Sequence, residues 1–325
     1  MKILFVWTGV TSYMADLWRA LSEKCNLKVI VVPAVIGREF DAEKILAGID
    51  AEIVPDVAAL ARSRFRDYRP DVAFLVGWRD PVVRAAVKGA WLGGVPKVCC
   101  FDMPWERRIR KFAAKFVLGS YLRRFAAAYV PGKSAEAYAR YLGFSRIEKG
   151  MYAIDDGRFT AAAAAPAERR GFLFLGRSSP EKGLDLLEKA YTLYRERTGD
   201  AAWELSVPGW TPPEAVPALL RSHGCLVVPS RFEPWGVIVA EAKAAGMKVI
   251  VSSSVQARLD LPCDEVFGTG DENALAEAMR RVSDGRSAGT DPVETAEAVR
   301  FHSASAWVGR VLKLAEELTQ GRSTG

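Results

Sequence analysis

Short apolar runs alternate with longer amphipathic segments along almost the whole chain, and this alternation most constrains the fold. The first run, KILFVW, precedes a segment of helical periodicity from Ser12 to Glu23, which is followed by a second apolar run. Later runs continue the pattern, among them DVAFLV, KVCCF and AAYV. Apolar runs that alternate with helices are typical of a parallel sheet with helices on both faces. The sequence therefore predicts an α/β fold.

The stretch TAAAAAPAERR, residues 160–170, interrupts this pattern. Its low complexity and its proline favour a linker over a frayed helix. The alternation then restarts, and a chain of 325 residues is long enough for two domains that each bury a core. We predict two doubly wound, Rossmann-like domains with these limits: a first domain over 1–160, a linker over 161–170, a second domain over 171–300, and a last helix within 301–325 that can cross back to the first domain.

Composition and cysteine usage favour a cytoplasmic protein. Half of the residues are hydrophobic and 26% are charged, as in soluble globular proteins. The five cysteines form no C-x-x-C pair, and three lie inside apolar runs, which indicates buried thiols rather than a disulfide or zinc framework. The opening apolar run stops at Thr8-Gly9, too early for a secretion signal, and no run reaches the length of a membrane span.

The segment WERRIRKFAAKFVLGSYLRRF, residues 105–125, carries the net charge of +6 by itself, with seven Arg or Lys residues against one Glu. Ile109, Phe112 and Phe116 have the spacing of one helical face. Two interpretations remain open: a surface helix that packs this stripe on the core, or a patch that contacts anionic lipid headgroups or an acidic acceptor. Nucleic acid is not predicted as a partner, because no recognised binding motif accompanies the charge.

Arg177 and Lys182 lie in GFLFLGRSSPEKGLDLLEKA, where a strand is predicted to end at Gly176 and a helix to begin near Pro180. Open α/β sheets bind ligands at the carboxyl ends of their strands. A lysine in the first turn of a helix opposes the helix dipole, and an anionic ligand would offset that small cost. The pair indicates a diphosphate site, while two solvated cations explain these two residues equally well.

A second junction of this kind is PSRFEPWGVIVAEAKAAG, where Pro234 suits the first residue of a helix. Glu233 would lie just ahead of free backbone N–H groups, and Gly236 would leave room for a ligand. Within one helix, Glu241 would lie roughly 12 Å further along. That separation exceeds the ~5–9.5 Å between the paired carboxyls of a glycosidase. We predict that Glu233 binds sugar hydroxyls and Glu241 a ribose diol; for Glu241 alone, an ordinary helix glutamate is the alternative.

Together, GRSSPEKGLDLL and VVPSRFEPWGVIVAEAKAAG resemble the retaining glycosyltransferases of family 4, in glycosyltransferase group 1, and Glu233 and Glu241 match their E-x7-E spacing. The resemblance covers most of the chain, is specific in the second domain and is weaker before residue 125. It implies the GT-B fold, with two Rossmann-like domains that face a central cleft. It also implies transfer of a sugar from a nucleoside-diphosphate sugar to a glycan or lipid-linked hydroxyl acceptor with retained configuration, and a place in polysaccharide biosynthesis.

The resemblance also implies residue roles, in which Arg177 and Lys182 bind the donor diphosphate, Glu241 the ribose and Glu233 the transferred sugar. The candidate catalytic residues are Glu233, Arg177, Lys182 and Asp102. The candidate donor-binding residues are Gly9, Gly176, Arg177, Lys182, Glu233, Pro234, Trp235, Gly236, Val237 and Glu241. No cofactor and no metal are predicted, since the sequence contains no D-x-D pair.

The sequence departs from the family pattern at several points. A single Gly9 replaces the usual Gly-Gly pair, Asp102 stands near a common histidine position, and SSSVQAR replaces a glycine-rich turn. A strand–helix unit is missing after WELSVPGW, so the nucleotide preference cannot be transferred. Two alternatives remain: a nucleotide-sugar epimerase of the same fold, and a catalytically inactive GT-B binding module. An NAD dehydrogenase is disfavoured, because no G-x-G-x-x-G follows a strand.

Overall fold

The computed structural model describes residues 1–33, 42–106, 109–160 and 169–320. They form two compact units, the first made of Met1–Ala153 and the segment from Ala304 onward, the second of Ile154–Ser303. Each unit is built around its own parallel sheet, so the predicted α/β class with two Rossmann-like domains is confirmed. Of the predicted linker, residues 161–168 lie outside the described residues.

The first unit contains a parallel sheet of seven strands within the described residues. The strands are β1 (Lys2–Thr8), β2 (Asn26–Val32), β3 (Ala51–Ile53), β4 (Val72–Val76), β5 (Lys97–Cys100), β6 (Ala127–Val130) and β7 (Ile147–Lys149). The helices before residue 150 are α1 (Ser12–Ser22), α2 (Ala42–Leu46), α3 (Val57–Ala61), α4 (Pro81–Lys88), α5 (Ile109–Leu122) and α6 (Lys133–Leu142). The strand order is β3-β2-β1-β4-β5-β6-β7, so the order reverses between β1 and β4.

The strands at the centre of this sheet read as nearly continuous apolar runs because helices cover both of their faces. In β1, Leu4 and Val6 belong to the core on one face, whereas Ile3 and Phe5 belong to the core on the other. Phe5 stacks on Phe74 of β4 with 4.8 Å between ring centroids. The alternation of side chains along a strand thus supplies both cores from one run.

The second unit contains five parallel strands within the described residues. They are β8 (Phe172–Leu173), β9 (Leu205–Ser206), β10 (Cys225–Val228), β11 (Lys248–Ser252) and β12 (Glu265–Phe267). The helices are α7 (Asp156–Thr160), α8 (Leu184–Thr198), α9 (Val216–Ser222), α10 (Val237–Ala244), α11 (Glu272–Ser283) and α12 (Pro292–Phe301). The order is β12-β11-β10-β8-β9, which reverses between β8 and β10. Ligands of open α/β sheets bind outside the carboxyl ends of the strands at such a reversal.

The last helix, α13 (Ala304–Gln320), belongs to the first unit. Trp307 is fully buried in the core beside α1, and its Nε1–H donates a hydrogen bond to the carbonyl of Met151 at 2.9 Å. The compact units therefore change at Ala153/Ile154 and at Ser303/Ala304, whereas the predicted limits end the first domain at residue 160 and place the second domain at 171–300.

Two helices of the second unit begin three to four residues later than predicted. The helix expected near Pro180 begins at Leu184, after a 3₁₀ turn over Pro180–Lys182, and the helix expected from Pro234 begins at Val237. The reason is a left-handed glycine before each start, Gly183 with φ +71° and Gly236 with φ +107°. This conformation cannot continue a right-handed helix. Lys182 and Glu233 consequently lie in connecting turns, and the expected spacing of Glu233 and Glu241 along one helix does not apply.

The apolar stripe predicted in residues 105–125 does not pack on the core as a whole. Phe116 is exposed over 82% of its surface, and Phe112 is only partly covered, by Trp105 and Tyr141. Helix α5 instead buries Tyr121 and Leu122 near its end. The interpretation as a core-facing stripe is therefore wrong for Phe116.

Candidate functional site

The strongest candidate site lies in the second unit, where β8 and β10 are hydrogen-bonded neighbours at the reversal of strand order. The segment after β8 carries Arg177 and Lys182, and the segment after β10 carries Glu233. Because parallel strands end at the same edge of a sheet, these two segments meet. The topology explains why residues about fifty positions apart come together.

Lys182 and Glu233 form an ion pair in this structure. The Nζ of Lys182 donates to the Oε2 of Glu233 at 2.5 Å, and both side chains are partly buried. The pair therefore places a cation and a carboxylate side by side at the strand ends. A cation there can bind a phosphate, and a carboxylate can accept hydrogen bonds from sugar hydroxyls.

Arg231, in the segment after β10, is hydrogen-bonded to the segment after β8. Its guanidinium donates two hydrogen bonds to the carboxylate of Asp185, both at 2.7 Å, and a third to the carbonyl of Pro180 at 2.8 Å. The backbone N–H of Arg231 donates to the carbonyl of Glu181 at 2.7 Å. The hydrogen bond from Arg231 lowers the pKa of Asp185. Sequence reasoning missed this bidentate pair, since only the fold brings residue 185 to residue 231.

Gly183 is the point of closest backbone approach between the same segments. A Cβ atom at this position would lie 2.3 Å from the carbonyl oxygen of Pro229, and its φ of +71° also disfavours other residues. A glycine is required here for both reasons. The turn that holds Lys182 is therefore pressed directly against the segment that leads to Glu233.

Glu241 lies on α10, just beyond its first turn. Burial raises the pKa of Glu241 to about 7, and the positive charge of Arg158 opposes this rise. Among the described residues, no donor is hydrogen-bonded to its carboxylate. Carboxyls with raised pKa values are concentrated at functional sites, although structural positions show them too.

The other candidate donor-binding residues differ in how far their side chains are exposed to solvent. Trp235 is 1% exposed, its ring lies 4.6 Å from that of His302, and its Nε1–H donates to Asp260 at 3.3 Å. Its indole therefore belongs to the core, and only its backbone can reach a ligand. Val237 opens α10, whose first N–H groups have no partner within the helix. Gly176 and Pro234 are partly buried, and Arg177 is exposed.

The first unit holds Gly9 and Asp102 at the carboxyl ends of its strands. Asp102 follows β5 and accepts a hydrogen bond from the hydroxyl of Tyr152 at 2.9 Å. Burial raises the pKa of Asp102, and the Tyr152 hydrogen bond counteracts this. Asp102 lines two cavities of about 420 and 470 Å³, and the larger one also includes Gly9, whose φ is +71°. Tyr152 is a further site residue that its sequence position alone did not indicate.

Neither a cluster of metal ligands nor a membrane-spanning helix is found among the described residues. In the ranges that the structure describes, no group of three or more His, Cys, Asp or Glu side chains is placed to hold a metal ion. Over the same ranges, none of the helices combines the length and the apolar character needed to cross a bilayer.

Comparison with known proteins gives one family match and many structural matches. Residues 201–299 match the family model described as "Glycosyl transferases group 1". A curated protein of Methanocaldococcus jannaschii, the uncharacterized glycosyltransferase MJ1607, is 27% identical over 29% of this chain and 30% of its own length. The match thus spans less than a third of that relative.

Two solved structures match over nearly the full length. Anabaena Alr3699/HepE, crystallised with UDP and glucose, has a TM-score of 0.73 at 12% identity and covers 98% of this chain and 100% of its own. Sucrose-phosphate synthase from Thermosynechococcus elongatus has a TM-score of 0.69 at 15% identity, with 99% and 100% covered. The resemblance to the group 1 glycosyltransferases is thus confirmed, on a chain that has the GT-B fold.

Proposed function

We propose that this protein transfers a sugar from a nucleoside-diphosphate sugar to a hydroxyl acceptor, glycan or lipid-linked, with retained configuration and without a metal, as a family 4 enzyme. The observation that carries the proposal is the contact between Lys182 and Glu233 at the strand reversal of the second unit. The family match over residues 201–299 and the UDP and glucose bound by the similar Alr3699/HepE support it.

The proposed donor roles follow from charge and position. Lys182 and Arg177 bind the diphosphate, together with the free N–H groups of Gly236 and Val237 at the start of α10. Preorganised donors of this kind stabilise the negative charge that grows on the leaving diphosphate. Glu233, released from Lys182 when phosphate replaces it, accepts hydrogen bonds from the transferred sugar.

The proposed acceptor roles belong to the first unit. Asp102, held by Tyr152 at the wall of two cavities, accepts a hydrogen bond from a hydroxyl of the acceptor other than the one that attacks the sugar, and so orients the acceptor. Gly9, at the wall of the larger cavity, leaves its backbone open to a ligand and is the donor-binding candidate of this unit. The leaving diphosphate itself takes the acceptor proton, so the chain needs no separate carboxylate base.

Donor binding provides the direct test of the function. We expect one nucleotide sugar in a thermal-shift panel to stabilise the protein by ~2.7 kcal/mol at 100 times its dissociation constant. Adding an acceptor should then release the nucleoside diphosphate and give a product with unchanged anomeric configuration. Donor converted to an isomerised sugar without an acceptor would instead identify an epimerase, and no stabilisation by any nucleotide would identify an inactive module.

Glu241 predicts a pH dependence of donor affinity. If its carboxylate binds the ribose diol, the affinity for donor should rise as the pH passes through about 7, because only the ionised form accepts both hydroxyl protons. Calorimetry of donor binding at pH 6 and pH 8, roughly one unit on either side of that value, measures this. Glu241→Gln should weaken binding and remove the pH dependence, whereas Glu196→Gln, an exposed position on α8, should change neither.

The raised pKa of Glu241 also predicts how the free energy of unfolding depends on pH. A raised pKa in the folded state favours the protonated form, so the free energy of unfolding should fall as the pH rises from about 4.5 to about 7. Glu241→Gln should reduce this fall in thermal denaturation measured without donor. If Glu241→Gln leaves the pH dependence of donor affinity and of the free energy of unfolding unchanged, both expectations for Glu241 are contradicted.

We also propose a cytoplasmic location at the inner face of a membrane, with a role in polysaccharide or lipid-linked glycan assembly. The support for the membrane contact is the surface of α5, where exposed apolar side chains lie beside cations. Vesicle binding tests this contact separately from sugar transfer.

A further inference from the structure

Helix α5 presents an apolar stripe to solvent instead of to the core. Phe116 is 82% exposed and Val117 77% exposed, and Phe112 and Ala113, one turn earlier, are exposed on the same side. Residues four apart lie above one another on a helix, so these four side chains form one continuous surface. Large apolar side chains grouped on an exposed helix face mark an interaction surface.

Three cations flank this stripe without acidic partners. Lys115, Arg123 and Arg124 are exposed, and in the described part of the chain no carboxylate pairs with any of them. Lys111 shows the contrast, because it is buried and contacts Glu106 at 3.6 Å. Among the described residues, the unpaired charges beside the stripe are therefore positive.

A cavity of about 410 Å³ opens beside the stripe, between α5 and the turn after α6. Two of the flanking cations, Lys115 and Arg123, line it together with the hydroxyl-bearing Ser145. Its remaining walls are largely apolar, formed by residues such as Leu122 and Phe144. Two cations and a hydroxyl suit a phosphodiester, and apolar walls suit the adjoining glycerol and the start of an acyl chain.

We propose that α5 docks on an anionic lipid bilayer, with Phe116 and Val117 at the headgroup–acyl boundary and a lipid phosphate in the cavity at Lys115 and Arg123. An amphipathic helix with cations beside its apolar face binds membranes in this way, parallel to the surface. A symmetric contact between two copies fits less well, because it would set the cations of one patch against those of the other.

Vesicle binding by the full chain tests this inference without donor or acceptor, so its outcome is independent of the proposed activity. Flotation should show binding to vesicles that contain phosphatidylglycerol and little binding to pure phosphatidylcholine. Phe116→Ser combined with Val117→Ser should weaken binding at least about tenfold, and Lys115→Gln combined with Arg123→Gln should do the same. The two double variants should differ in salt dependence, since only the second removes charge.

Matched controls lie elsewhere on the surface. Val293→Ser changes an apolar side chain that is 68% exposed on α12, and Lys24→Gln changes an exposed cation after α1, so both should bind vesicles like the wild type. Unchanged melting temperatures would show that all variants fold. Equal binding by the variants and the wild type, or no wild-type binding to anionic vesicles, would overturn the proposal. A dimer in ultracentrifugation that the Phe116 and Val117 substitutions dissociate, without vesicle binding, would overturn it in favour of self-association.

Discussion

Replacing Glu233 by alanine should lower kcat by about 10²–10³-fold and change the donor dissociation constant much less. In the proposed reaction Glu233 holds the hydroxyls of the sugar that is transferred, and these hydrogen bonds strengthen as positive charge develops on that sugar. The diphosphate would still be bound by Lys182 and Arg177. Steady-state kinetics and calorimetry on the same preparation separate the two quantities.

The partner of Glu233 provides the control for this result. Lys182→Ala should weaken donor binding as well as turnover, because the lysine is proposed to bind phosphate. Since the two side chains are in contact at 2.5 Å, the double variant should lose less than the two single losses combined. Losses that simply add, or a Glu233→Ala enzyme with wild-type kcat, would contradict the proposed division of roles.

Gly183→Ala should be the most damaging substitution away from the reacting groups. The new methyl group would lie 2.3 Å from the carbonyl oxygen of Pro229, on a backbone with φ +71°. The left-handed conformation costs about 1–2 kcal/mol and the overlap about 1–3 kcal/mol more, so we expect a loss of about 2–5 kcal/mol. Relief of the overlap should also separate Lys182 from Glu233 and reduce kcat. Denaturant unfolding and kinetics measure both effects.

Gly143 supplies a matched control, because it is also left-handed, with φ +99° and ψ +15°, but a Cβ atom there would meet nothing within 4 Å. Gly143→Ala should therefore cost only the conformational part, about 1–2 kcal/mol, and leave kcat unchanged. Equal losses of stability in the two alanine variants would show that the Pro229 carbonyl moves aside without a measurable cost, contrary to this prediction.

The sequence predicted the α/β class because its evidence is local: each apolar run and each amphipathic helix can be recognised by itself. The prediction of helix starts failed, because these depend on backbone conformation. The sequence around Gly183 and Gly236 did not show that these residues adopt left-handed conformations, so both helix starts were placed too early. Short elements with few buried residues, such as β3 and β7, were not singled out for a related reason: three residues carry too little periodicity.

The candidate site shows the same division. Lys182 and Glu233 could be nominated because each follows an apolar strand, and strand ends converge in this class of fold. The contacts of Arg231 with Asp185 and of Tyr152 with Asp102 could not be predicted, since they join distant positions. Periodicity placed Phe112 and Phe116 on one helix face but could not say whether that face points inward, which depends on the tertiary packing.

The path of the chain through the two units has a practical consequence. The first unit is interrupted once, after Ala153, and resumes at Ala304, while Ile154 pairs with Ser303 at the two junctions and donates its N–H to the carbonyl of His302 at 2.9 Å. Residues 154–303 are thus a single cassette inserted into a host domain. Exchange of this segment for a homologous one would need only the junctions Ala153/Ile154 and Ser303/Ala304, and every strand and helix of the first unit would stay intact.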